Sequence, residues 1–165
     1  MILGITTLTF AHVLLSLIGI FAGFFVVLGL LTAKRLDGWT ALFLASTVAT
    51  SVTGFMFPFH KFLPSHAFGI LSLIVLPIAM FARYGRHLAG GWRRTYAITA
   101  MIALYLNVFV LIAQLFMKVP ALKAVAPTQS EPPFKITQLV VLVLFVALTI
   151  AAAKKFGEER PWDSA

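Results

Sequence analysis

The sequence predicts an all-α integral membrane bundle of five transmembrane helices, with its N-terminus outside and its C-terminus cytoplasmic. Composition comes first: 61% of the 165 residues are hydrophobic and only 11% are charged, whereas soluble domains run at roughly 45–50% apolar and about 25% charged. Charge-free apolar runs also recur along the chain, and the Lys and Arg residues gather between those runs rather than inside them. A chain of this length makes one helical domain over residues 1–165.

Each run is judged against a bilayer core of about 30 Å, which takes roughly 20 helical residues to cross. The first run, residues 1–33, is longer than one span and lacks both the basic leading segment and the small-residue cleavage site of a signal peptide, so it is read as a first span. Residues 39–59 and 97–117 fit a span closely, while 67–82 and 136–153 are slightly short. Strands are excluded because lipid offers an open sheet edge no partner and the chain shows no barrel-type alternation. Gly19 and Gly23 in the first helix, and Ala45 and Ala49 in the second, have the small-residue spacing that lets backbones approach closely.

Orientation follows from the basic residues. Lys34, Arg35, Arg83, Arg86, Arg93, Arg94, Lys154, Lys155 and Arg160 fall at one end of the spans, against Lys61, Lys118, Lys123 and Lys135 at the other. Cytoplasmic loops carry the excess of Lys and Arg, so the first set faces the cytoplasm. Trp39, Trp92, Trp162, Tyr84 and Tyr96 lie at the same end, where amphipathic rings suit the headgroup layer. The net charge of +8 is therefore assigned to membrane lipids and topology rather than to nucleic acid. His87 is read as part of this lipid-facing basic loop.

The absence of cysteine removes disulfides, thiolate metal sites, iron–sulfur clusters and covalent haem attachment. No Asp or Glu lies inside a span, which argues against a carboxylate proton relay. Counting span lengths from the basic end brings His12, His60, His66, Gln114 and Gln138 to one depth at the outer end. Helical periodicity adds interior stripes: His12, Ser16, Gly19 and Gly23; Ala49, Thr53, Met56 and His60; Ala100, Ala103, Asn107 and Gln114. These side chains are expected to converge on an outward-facing cavity. A proline-rich loop over residues 119–135 crosses the same end as a lid or a plain connection, and Glu131 is its only acidic residue.

Imidazole binds zinc, copper and iron, and two histidines can clamp a haem. His12, His66 and the possible third ligand His60 are accordingly the candidate metal ligands. For a cofactor, the candidate set is His12 and His66, with Gln114 as a polar partner and Glu131 as a second hydrogen-bonding group. The groups considered are haem b, a transition metal ion and a quinone, the last against a wall of Phe55, Phe57 and Phe59.

The stretch PSHAFGILSLIVLPIAMFARYGRHLAGGWRRTY, in which His-x-x-Gly opens a span and a basic loop closes it, covers about a fifth of the chain. It resembles small bacterial multi-span membrane proteins that are distantly similar to b-type cytochrome membrane domains. The resemblance implies a multi-pass protein of the bacterial inner (cytoplasmic) membrane and supplies no established activity; the redox-type role is read from the outer histidines. Two other roles stand beside it: a non-catalytic subunit of a homo-oligomer or larger membrane complex, and transport of a small molecule or lipid. No nucleotide-binding loop, Ser-His-Asp order or HExxH motif is present.

Overall fold

The computed structural model describes residues 6–57 and 64–158, and within them every regular element is helical. Helix α1 spans Thr7–Leu31, α2 Asp37–Gly54, α3 Pro64–Met80, α4 Trp92–Lys118, α5 Pro120–Val125 and α6 Pro132–Gly157. Four stretches are long and apolar enough to cross a membrane: Thr7–Leu31, His66–Gly85, Trp92–Lys118 and Pro132–Gly157. Helix α2 is not among them. Its 18 residues begin with Asp37 and Gly38 and carry two serines and four threonines, which dilute its apolar content.

The helix boundaries follow local chemistry. Thr6 caps α1 by accepting from the Thr9 backbone N–H at 3.2 Å, so the helix begins five residues before His12. Pro120 opens α5 and Pro132 and Pro133 open α6, where a missing N–H costs nothing. The loop expected over 119–135 thus holds a short helix. Helix α4 begins at Trp92, which takes Arg93 and Arg94 into the helix rather than leaving them in a loop.

In α3, Pro77 has no N–H for the helical ladder. A π-helical turn, Phe81–Gly85, then continues the helix and carries Arg83 inward. The chain reverses through His87 (φ 49°) and Leu88 (φ 59°), both left-handed, a costly conformation for side chains with a Cβ. Leu88 is nevertheless buried at 3% exposure, so its packing holds the turn.

Helices α1, α2, α3 and α4 pack in sequence, and α1 also meets α4. Helix α6 lies against α4 and α1. The core between them is built from Leu30, Phe43, Leu76, Tyr96, Met101, Leu104 and Phe156. Glycines set the closest approach. A Cβ on Gly23 would lie 2.5 Å from Leu104 Cδ1 and 3.2 Å from Phe43 Cδ2. Since Leu104 is itself fully packed, Gly23→Ala should cost about 1 kcal/mol or somewhat more through overpacking, measurable as a lowered midpoint in denaturant. The partner face on α2 is not the expected Ala45 and Ala49: Ala45 is exposed, and Phe43, Ser46 and Thr47 turn inward instead.

The basic end is tied together by buried arginines. Arg83, 6% exposed, pairs with Asp37 and stands 5.2 Å over the Tyr96 ring, whose hydroxyl donates to Thr40 Oγ1 at 3.3 Å. Arg93, 2% exposed, donates from Nε to the Phe156 carbonyl at 2.7 Å and lies 4.6 Å over that ring. These two residues join elements of the bundle, whereas Lys34, Arg35, Arg86, Arg94, Lys154 and Lys155 remain exposed.

Candidate functional site

The stripe on α1 meets a polar partner at nearly every step. His12 Nδ1 lies 2.9 Å from Thr53 Oγ1 of α2, and the Ser16 hydroxyl donates to Asn107 Oδ1 of α4 at 2.8 Å. Gly19 faces Ser46, Thr47 and Asn107, and Gly23 faces Leu104 and Phe43. Residues at i, i+4, i+7 and i+11 share a helix face, so one line of α1 reaches both α2 and α4.

The carbonyls around Thr53 favour one tautomer of His12. Thr53 has one hydroxyl proton, and it goes back to the Ala49 carbonyl at 2.7 Å, with Thr50 O at 3.1 Å. With its proton on that carbonyl, Thr53 Oγ1 accepts and His12 Nδ1–H donates. In the neutral ring this leaves the lone pair on Nε2, the arrangement found when a histidine is held to serve as a ligand or proton acceptor. The Phe57 ring packs edge-on against the imidazole with centroids 5.3 Å apart, and Gly54 leaves space beside it. His12 is half-buried.

His66 is 8% exposed in the first turn of α3, and its ring tilts against Phe55 at 6.1 Å. Both histidines thus touch the end of α2, but through different residues: His12 through Thr53, Gly54 and Phe57, His66 through Phe55. His60 and Phe59 lie outside the described residues. Met56, expected on the interior stripe, is 63% exposed. Among the described residues, no three His, Asp or Glu side chains come together as a metal site would require.

The amides divide differently from expectation. Gln114 is partly exposed, while Gln129 Nε2 donates to the Ala113 carbonyl at 2.7 Å and Gln138 Nε2 to the Phe109 carbonyl at 3.2 Å. Gln129 and Gln138 therefore tie the loop and α6 to the last turns of α4.

Glu131 organises its own turn. Its carboxylate accepts from the Thr128 hydroxyl at 2.7 Å, the Thr128 backbone N–H at 3.2 Å and the Ser130 backbone N–H at 3.1 Å. Among the described residues no histidine is its partner. These donors, the Thr128 hydroxyl foremost, hold the carboxyl below its ordinary value of 4.5. A depressed carboxyl stabilises the turn above its unfolded value and loses that contribution as pH falls through the folded one. Protection of the Thr128 and Ser130 amides, relative to their intrinsic exchange rates, should consequently persist at neutral pH and fall only in acid. Glu131→Gln should lose protection already at pH 7, and unchanged protection would show that the turn is held by other means.

A separate cavity of about 220 Å³ opens between α4 and α6, lined by Met101, Ile102, Tyr105, Phe145 and Thr149 among others. It is almost wholly apolar and includes none of the described histidines.

Fold and site together define a helical bundle, compatible with a multi-pass membrane protein, that carries an oriented imidazole at one end. No protein-family model, curated protein or solved structure matches the chain.

Proposed function

We propose that this is a multi-pass protein of the bacterial inner membrane that binds a redox-type group at its outer leaflet through His12. The carrying observation is the Thr53 contact, which orients the imidazole and leaves Nε2 as the lone acceptor. Of haem b, a transition metal and a quinone, we take the quinone as the first reading. One acceptor nitrogen beside phenyl rings suits a quinol hydroxyl.

The purified protein in lipid nanodiscs should bind added short-chain quinol saturably and show no Soret absorption. A Soret band would assign the site to haem b, and stoichiometric copper, iron or zinc would assign it to a metal. Absence of all three would overturn the reading.

The proposed topology has α2 as a fifth span, the N-terminus outside and the C-terminus cytoplasmic. The excess of Lys and Arg at the end that holds Arg83 and Arg93 supports it. Reporter fusions after Lys155 and within the turn at Thr128 should fall on opposite sides of the membrane, and finding both on one side would refute it.

A second reading, a non-catalytic subunit of a homo-oligomer or larger complex, draws on α6. That helix exposes Ile136, Leu139, Val140, Val143 and Ile150, and the cavity beside α4 could receive a side chain from another helix. A native mass spectrum showing only the monomer would remove the homo-oligomeric form of that reading.

A further inference from the structure

Deeper in the bundle than His12, three polar atoms converge on the bare face of Gly19. A Cβ built there would stand 3.0 Å from Ser46 Oγ, 3.1 Å from Thr47 Oγ1 and 3.4 Å from Asn107 Nδ2. Thr47 is 2% exposed and Asn107 8%. Ser46 donates its proton to the Leu42 carbonyl at 2.6 Å and keeps its lone pairs, while Asn107 Oδ1 already accepts from Ser16. Thr47 Oγ1 and Asn107 Nδ2 are buried and have no hydrogen-bond partner among the described residues. An unpaired polar group in an apolar interior is costly, and two side by side are more so.

We propose that Gly19, Ser46, Thr47 and Asn107 form a binding site for one water molecule, held between α1, α2 and α4. The water accepts from Asn107 Nδ2–H and shares hydrogens with the Thr47 and Ser46 hydroxyls, which gives it the roughly three partners a buried water usually makes. Water fits better than a cation because no acidic side chain joins these four residues and an amide N–H points into the group. It also fits either orientation of the Asn107 amide, since it can donate as readily as accept. Glycine is required at position 19 because a methyl group would fill the space in which the oxygen sits. The proposal is independent of what His12 binds.

Radiolytic footprinting of the full-length protein tests it, because hydroxyl radicals formed from a bound water oxidise the side chains around it. Phe43 and Leu104, one helical turn from the site, should be oxidised in the native protein, and several-fold less in Gly19→Ala and Thr47→Val. Thermal unfolding of Thr47→Val supplies a sign that does not depend on labelling. If the hydroxyl is bonded to water, valine lowers the midpoint; if it is bare, valine of the same shape raises it. Unmodified Phe43 and Leu104 in the native protein, unchanged labelling in the variants, or a raised midpoint in Thr47→Val would each overturn the proposal.

Discussion

Substituting His12 by alanine should abolish saturable quinol binding, whereas Thr53→Val should weaken it by about 10–100-fold, the usual effect of losing the group that orients a ligand histidine. The two variants act through different atoms. Alanine removes Nε2 itself, while valine leaves the imidazole in place but frees Nδ1 from Thr53 Oγ1. His66→Ala should have a smaller effect because the proposed acceptor is Nε2 of His12. His87→Ala should have none, because His87 is an exposed turn residue at the opposite end of α3. Titration of a short-chain quinol against each purified variant gives the order, with thermal midpoints confirming that each remains folded. Equal binding by native protein and His12→Ala would dismiss the site.

The second large effect is expected at Arg83. Its side chain is 5% exposed and its partner Asp37 81% exposed, so Asp37→Ala would leave a buried guanidinium facing the neutral Tyr96 ring. Breaking a fully buried pair costs about 3–5 kcal/mol; because the carboxylate sits in water, the loss here should be nearer about 2 kcal/mol. Replacing both residues, as Arg83→Met with Asp37→Ala, should restore much of the loss, since methionine needs no counter-ion. A double-mutant cycle in denaturant measures the coupling, and strict additivity of the two substitutions would show that Arg83 is held by its rings alone.

How far the sequence could carry this reading depended on the kind of signal. Apolar runs mark helices directly, and 3.6-residue periodicity correctly picked His12, Ser16, Gly19, Gly23, Ala100, Ala103 and Asn107 as inward-facing positions. Thr53 was on its stripe for the same reason. What periodicity could not show is which polar atoms find partners. Arg83 and Arg93 look like headgroup residues because a count of charges is blind to a π-helical turn and to a carbonyl at the end of α6. Glu131 looks available to a histidine until its neighbours Thr128 and Ser130 claim it. Ser46 and Thr47 gave no pattern of their own, since their role comes from the missing side chain at Gly19 on another helix.

The hydroxyls of α2 bear on how the chain is made. Ser46, Thr50, Ser51 and Thr53 each return their proton to a carbonyl three or four residues earlier on the same helix. A transfer scale counts every such hydroxyl as a group that must leave water unpaired, whereas here each leaves water already paired by its own backbone. With α2 as the fifth span proposed above, the penalty for moving it from the translocon into lipid would be smaller than its composition suggests, and α1, emerging just ahead of it, offers Gly19 and Gly23 as a face to settle against. A segment that looks too polar to be released sideways on its own can thus leave the channel as the second arm of a hairpin.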